Sequence, residues 1–197
     1  MSPKKPGGIT AGELMAQLAQ DEDYQARAAA LEVEMQARRD ELSRAEQPIL
    51  DDLHAVGIEV ASVWDLVNTS EPYPAALPIL INHLRHGGYP DRVMESLGRA
   101  LAVKPAVAAW ETLRDLYLKA QGRGEEEGLA VALAASATDA QFDALIRLLD
   151  ESGRGSTRIH FLSSIKRVGG VRGIEVLKSL RDDPLYGKEA RALLKGR

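Results

Sequence analysis

The chain has 197 residues, of which 45% are hydrophobic and 27% charged, and its formal net charge is −4. This composition is typical of a soluble globular protein of about one domain, and the low aromatic content of 5% with abundant Ala and Leu favours helices over sheets. The absence of cysteine excludes disulfides, thiolate metal sites and cysteine nucleophiles.

The N-terminal stretch MSPKKPGGIT has two lysines but no apolar segment behind them, so it lacks the pattern of a secretory signal. No stretch approaches the roughly 18 apolar residues of a membrane-spanning helix. We therefore expect residues 1–9 to be a disordered tail, and we expect a cytoplasmic protein without a membrane partner.

A long helical arm is predicted for residues 10–47. Thr10 and Glu13 match a capping box, and no Gly or Pro follows up to Ala45. A seven-residue apolar series runs along the arm and is interrupted at Asp21. Its members are Leu14, Ala28, Met35 and Leu42. The favoured interpretation is an arm bent near Asp21 that packs part of its apolar side on the following helices. The alternative is a coiled coil that joins copies of the chain into a homo-oligomer.

Residues 48–73 are predicted to form two short capping helices. Pro48 suits the first turn of a helix that Gly57 ends, and the stretch VASVWDLVN gives the second helix. Such a pair would cover the N-terminal end of a stack of repeats, whose apolar face would otherwise meet water.

An internal repeat of 32 residues accounts for the rest of the chain. Four blocks follow in one register, at residues 74–105, 106–137, 138–169 and 170–197. Positions five, eight and eleven of the blocks lie three apart and form an apolar stripe on one helix. They hold Pro78, Trp110, Phe142 and Ile174, then Ile81, Leu113, Leu145 and Leu177, then Leu84, Leu116, Leu148 and Leu180.

A second apolar set occupies positions 24 and 28 of the blocks. It consists of Leu97, Leu129, Phe161 and Leu193, with Leu101, Leu133 and Ile165. The glycine-bearing stretches RHGGYPD, KAQGRGEEE, DESGRGS and the shorter RDDPLYG lie between the two sets and have turn chemistry. Each block is therefore predicted to be a helix pair, and Thr138 with Gln141 forms a further capping box. Because each pair has an apolar face that only its neighbours can cover, the repeat predicts an all-α solenoid.

The blocks resemble HEAT and HEAT-like repeats, chiefly in YPDRVMESLGRALA and GIEVLKSLRDDPLYGKEARALL. Both stretches look like that family's Leu-rich first helix, Asp/Pro turn, and second helix with Val or Glu-Ala followed by Ala-Leu. The second block departs from the pattern, with GEEEGLAVALAAS where an Asp-Pro turn is expected, and the fourth block is short. The resemblance implies a right-handed α-α superhelix over residues 74–197, whose second helices line the inner surface.

His83 and His86 lie three residues apart near a predicted helix end, before Asp91 and Arg92. Two histidines do not complete a zinc site, so we interpret them as support for the helix C-terminus. Asp91 is predicted to cap the helix that it opens. No metal and no cofactor are expected.

Trp110 and Asp115 superficially resemble the Trp and Asp that HEAT-like alkyl-purine DNA glycosylases use in a concave groove. Trp110 falls on the apolar stripe, so core packing is favoured and no catalytic residue is assigned. The stretch QFDAL resembles the peptide by which bacterial proteins dock on the replication sliding clamp. Its Phe142 and Leu145 also fall on the stripe, which favours a structural role.

Charge is distributed unevenly along the chain. Residues 153–197 hold eleven Lys/Arg and four Asp/Glu, which gives +7 and leaves −11 for residues 1–152. This asymmetry favours electrostatic association with a partner. The predicted partner-binding residues are Arg92, Arg99, Arg158, Lys166, Arg167, Lys188 and Arg191. The sequence thus favours a non-catalytic scaffold for a protein partner on the inner surface and basic C-terminal rim, and the basic rim suits an acidic partner. A nucleic-acid-binding solenoid is the alternative, and a glycosylase-type enzyme is the third hypothesis.

Overall fold

The computed structural model describes residues 9–196, and every regular element in that range is helical. The α-helices are α1 (Ala11–Gln20), α2 (Glu22–Ala55), α3 (Val63–Asn68), α4 (Ala76–His86), α5 (Asp91–Ala100), α6 (Trp110–Lys119), α7 (Arg123–Ser136), α8 (Phe142–Leu149), α9 (Phe161–Ser179) and α10 (Gly187–Leu194). Short 3-10 segments precede α6, α8 and α9. The predicted all-α class is therefore confirmed. The predicted tail lies outside the described residues except for Ile9.

The chain divides into a unit that ends at Ser43 and a unit that begins at Arg44. The first unit contains α1 and the part of α2 up to Ser43. The predicted capping box opens α1, where the Thr10 amide donates to Glu13 Oε2 at 2.9 Å. The arm breaks at Asp21, and Asp21 Oδ1 accepts the amide of Tyr24 at 2.9 Å, which caps the start of α2.

The second unit begins within α2. The prediction that Pro48 starts a new helix is wrong, because α2 continues through Pro48 to Ala55. A proline inside a helix costs about 3 kcal/mol. Ile49 and Leu53 are fully buried, and burying such side chains contributes about 1.5–3 kcal/mol each, which offsets that cost.

Helix pairs follow one another in the second unit. α4 packs against α5, and α6 against α7, as the first two blocks predict. α8 packs against α9, which is kinked at Gly170, where φ is 52°. The kink falls on the predicted boundary of the third and fourth blocks, so the second half of α9 is the first helix of block four and pairs with α10. The second helices α5, α7 and α9 also contact one another in sequence.

The core confirms most of the predicted apolar positions. Every member of the second set is buried except Leu193, which is half-buried. In the first set, Trp110 and Phe142 are buried, but Pro78 and Ile174 are exposed, contrary to the prediction. Positions three apart rotate by about 60° per step around a helix, so one end of such a stripe can leave the buried face.

Two glycines set the contact between α5 and α7. A Cβ added to Gly98 would lie 2.5 Å from the carbonyl carbon of Gly128, and a Cβ added to Gly128 would lie 2.5 Å from the carbonyl oxygen of Glu95. The backbones of the two helices are therefore in direct contact, and no other residue type fits at either position.

Candidate partner-binding surface

Asp91 connects the start of α5 to the start of α7. Its Oδ2 accepts the amide of Gly124 at 2.8 Å, and its Oδ1 accepts the amide of Glu125 at 2.9 Å. Amides in the first turn of a helix have no acceptor within that helix, so Asp91 caps α7. The prediction that Asp91 caps its own helix is wrong, since α5 follows Pro90 without a side-chain cap.

Two of the predicted partner-binding residues, Arg92 and Arg99, bind the same carboxylate. Arg92 Nη1 lies 2.7 Å from Glu95 Oε2, and Arg99 Nε lies 2.7 Å from Glu95 Oε1. Arg99 also reaches Glu127 on α7 at 2.9 Å, whereas the guanidinium of Arg92 lies 4.2 Å from the ring centre of Trp64. Arg99 therefore links two repeats, and Arg92, with 56% of its side chain exposed, is the one that faces solvent.

The acidic start of α7 meets cations from the third block. Arg154 Nη1 lies 3.8 Å from Glu126 Oε2, and the hydroxyl of Thr157 donates to Glu126. The hydroxyl of Tyr117 lies 3.2 Å from that of Thr157, and burial raises the pKa of Tyr117 to about 12. Tyr117 therefore stays protonated at neutral pH, so this polar cluster holds the repeats together and does not supply a base.

Arg154 and Arg167 cap the C-termini of helices in the preceding block. Arg154 Nη1 donates to the carbonyl of Ala120 at 2.9 Å, just after α6. Arg167 donates to Ala134 at 2.7 Å and to Ala137 at 3.0 Å, at the end of α7. These carbonyls have no amide partner within their helices, and a cation also complements the negative end of the helix dipole.

The other C-terminal cations of the predicted set divide between helix ends and solvent. Arg158 donates to the carbonyl of Leu149 at the end of α8, and Lys166 Nζ donates to the carbonyl of Leu193 at 2.6 Å near the end of α10. Arg191 donates to the carbonyl of Arg181, and Lys188 is exposed on α10. Sequence spacing shows where these cations lie along the chain, but it does not show that most of them bind carbonyls.

An apolar groove that the sequence did not predict lies beside Tyr73. One part, of about 310 Å³, is lined by Thr69–Pro74 with Leu77, Val103 and Pro105. The adjoining part, of about 440 Å³, adds Ile58, Glu59, Val60, Asp65, Leu66 and Ala75. We call the two parts together the Tyr73 groove.

The sequence carries a signal for this groove in SEPYP. Two prolines flank the aromatic residue and keep it out of a helix. Tyr73 donates its hydroxyl to the carbonyl of Ala100 at 2.9 Å, and burial raises its pKa. The ring is thereby fixed as one wall of the groove. Glu59 and Glu71 are exposed at the edge, and none of the lining residues is Lys or Arg.

His83 joins α2 to the turn after α4. Its Nε2 lies 3.0 Å from Asp52 Oδ2, and its Nδ1 lies 2.7 Å from the hydroxyl of Tyr89. His83 is buried and His86 is exposed. Within residues 9–196, no three or more His, Asp or Glu side chains are grouped so that they could hold a metal ion. The ring of His83 therefore has structural contacts to Asp52 and Tyr89, and the predicted support of its own helix end stays a prediction.

Trp110 does not line a groove. Its ring is buried, and its Nε1 donates to the carbonyl of Leu133 at 3.1 Å, while Asp115 is exposed and pairs with Arg114 at 3.0 Å. Phe142 and Leu145 of the QFDAL stretch are buried. Of the helices in residues 9–196, none has both the length and the apolar character needed to cross a membrane.

Comparison with known proteins gave no match: no protein-family model, no curated protein and no solved structure is significantly similar to this chain.

Proposed function

We propose that this chain is a non-catalytic, HEAT-like helical scaffold that binds a protein partner. The HEAT-like assignment is supported by successive helix pairs in a 32-residue register and by second helices that contact one another. The bonds from Asp91 and Arg99 to the next repeat support the same architecture.

The observation that carries the proposed function is the Tyr73 groove. Binding sites are typically concave and mostly apolar, with a few fixed polar groups. The groove has this character, and the fixed ring of Tyr73 forms its wall. Glu59 and Glu71 lie at its edge, and none of its lining residues is Lys or Arg. The partner that fits is an extended peptide segment with apolar side chains for the groove and Lys or Arg beside them.

The predicted basic rim has a smaller part in this proposal. Arg158, Lys166 and Arg167 bind carbonyls at helix ends, which leaves fewer N–H groups for phosphates or for an acidic protein. Arg92, Arg167, Lys188 and Arg191 are the exposed members of the predicted set. Arg167 and Arg191 bind carbonyls, so Arg92 and Lys188 are the cations through which a partner would be held outside the groove.

A library of random peptides displayed on phage tests this function. Selection on the full chain should enrich peptides that combine apolar residues with Lys or Arg. The selected peptides should lose at least about tenfold in affinity for Val103→Glu, which places a charge in the groove. The control is Val171→Glu, because Val171 is 77% exposed and lies outside the groove. This variant should bind the selected peptides with the same affinity as the wild type.

Two outcomes would contradict the proposal. One is selection without enrichment, and the other is equal binding by Val103→Glu in a variant whose circular dichroism shows a folded protein. Tight, salt-dependent binding of DNA or RNA that Lys188→Glu and Arg92→Glu abolish would establish the nucleic-acid alternative instead.

A further inference from the structure

The unit that ends at Ser43 has no buried residue among residues 9–43. Ten large apolar side chains of the described chain are exposed, and seven of them belong to this unit. They are Ile9, Leu14, Met15, Tyr24, Leu31, Val33 and Met35. Helices in proteins owe most of their stability to a packed apolar face, and the face of this unit has no cover within it.

Four of the five large apolar side chains of α2 in this unit, all except Val33, follow the spacing of a coiled coil together with Ala28. Tyr24, Ala28, Leu31 and Met35 are separated by four, three and four residues, and Leu42 follows seven residues after Met35. This spacing of three and four keeps one stripe of a helix facing a partner helix along its whole length. The interruption that sequence spacing suggested at Asp21 lies before α2 begins, so the stripe within α2 has one polar member, Arg38.

We propose that this stripe binds the same stripe of a second copy of the chain, with the two α2 helices antiparallel. In the register that sets Tyr24 opposite Met35 of the second copy, Ala28 lies opposite Leu31. The small side chain of Ala28 leaves room for Leu31, so apolar residues face each other through the centre of the contact.

Charge selects this arrangement over a parallel one. A parallel pair in register would set Arg38 against Arg38 of the second copy within the contact, where like charges repel and lose water. The antiparallel register sets Arg38 against Asp21 of the second copy instead. It also sets Arg27 against Glu34 along the flank of the stripe, which is where charged pairs determine the orientation of coiled coils.

This contact is independent of the Tyr73 groove, and either one can be present without the other. Leu31→Glu and Val33→Glu form a matched pair of tests on the full chain. Leu31 is on the stripe and Val33 is on the opposite side of the helix, and both are exposed, at 56% and 71%. Neither change removes a buried side chain, so both variants should fold like the wild type.

The mass in solution, measured by light scattering over a range of concentrations, gives the result. The wild type and Val33→Glu should have the mass of a dimer, and Leu31→Glu should show about half of it, since a charge on each copy would be desolvated at the contact. A wild type that stays monomeric at every concentration overturns the proposal. Equal dissociation by Leu31→Glu and Val33→Glu also overturns it.

Disulfide formation between introduced cysteines tests the orientation. The wild-type chain has no cysteine, so only the introduced residues can form the bond. An equal mixture of the Tyr24→Cys and Met35→Cys chains should give a cross-linked product, and neither chain alone should do so. In a parallel dimer each chain alone would cross-link with itself, because identical residues would face each other, and that result would refute the antiparallel register. Cysteines at positions 24 and 35 of parallel helices would lie about 16 Å apart, beyond the reach of a disulfide.

Discussion

The carboxylate of Asp91 accepts the backbone amide of Gly124, 33 positions later in the chain, at 2.8 Å. One residue thus opens the second helix of the first block and caps the second helix of the next. The contact makes the start of α7 depend on the position of α5.

Replacing Asp91 by Ala should lower the free energy of unfolding by about 1–2 kcal/mol, because two amides at the start of α7 lose their acceptor. Urea unfolding followed by circular dichroism measures the change. Asp115→Ala serves as the control, since Asp115 is exposed and caps no helix, and its effect should stay within about 0.5 kcal/mol. Equal effects of the two changes would show that the cap contributes nothing.

Arg167→Ala should lower the free energy of unfolding by about 1.5–3 kcal/mol, because two carbonyls at the end of α7 lose a charged donor. Arg167→Lys should recover only part of this, since an ammonium does not have the fork of donors that reaches both oxygens. Lys178→Ala is the matched control, because Lys178 is exposed and pairs only along its own helix with Glu175. Thermal unfolding of the three variants gives the order of their stabilities. A large loss of stability for Lys178→Ala would contradict this expectation.

Glu46 should give the protein a measurable pH dependence. Its carboxyl is buried against the hydroxyl of Ser62, and desolvation raises its pKa above the usual value of 4.5. The folded state therefore holds the proton more tightly than the unfolded state. The contribution of Glu46 to stability is fully present below about pH 4.5 and is lost as the pH rises through the raised pKa.

Glu46→Gln removes this titration. The free energy of unfolding of Glu46→Gln relative to the wild type should therefore increase from about pH 4 to pH 7. Chemical unfolding at several pH values measures the difference. A constant difference between Glu46→Gln and the wild type across this pH range would show that the pKa of Glu46 is not raised.

The two histidines should behave differently. His83→Ala should lower the free energy of unfolding by about 2–3 kcal/mol, because it leaves a cavity and removes the ring that joins Asp52 to Tyr89. His86→Ala should stay within about 0.5 kcal/mol, since His86 is exposed. Added zinc should not change the melting temperature of the wild type. A zinc-dependent increase that either substitution abolishes would establish a metal site.

Gly98→Ala should lower the free energy of unfolding by about 2 kcal/mol or more, because the new methyl group would clash with the backbone of Gly128. Gly12→Ala is the control. A Cβ at Gly12 has no heavy atom within 4 Å, and the change should favour α1 by about 0.5–1 kcal/mol. A calorimetric scan of both variants would contradict this expectation if Gly98→Ala melted like the wild type.

Sequence periodicity predicted the second helices well. Leu97, Leu129 and Phe161 lie at one position of the 32-residue register, and all three are buried. The pattern is visible because these helices pack against neighbours on two sides, which requires apolar residues at the same positions of successive blocks. At Pro78 the same method failed, because a stripe of residues three apart rotates off the buried face.

The contacts between blocks were beyond what spacing alone can predict. Nothing in the sequence near Arg167 indicates that its guanidinium reaches carbonyls 30 and 33 positions earlier. The Tyr73 groove was missed for a related reason, since it forms where the residues around Tyr73 meet Val103 and Pro105. Such sites depend on tertiary placement, whereas helix starts such as that of Thr10 depend on neighbouring residues and were predicted.

The contact between Gly98 and Gly128 also restricts how such a chain can change its length. In the 32-residue register, Ala130 and Leu162 correspond to Gly98, and Ser96 and His160 correspond to Gly128. A third block moved next to the first would bring His160 to a place with no room for a side chain. The first two blocks therefore form a matched pair, and inserting a block between them or replacing the second block by the third would break this contact.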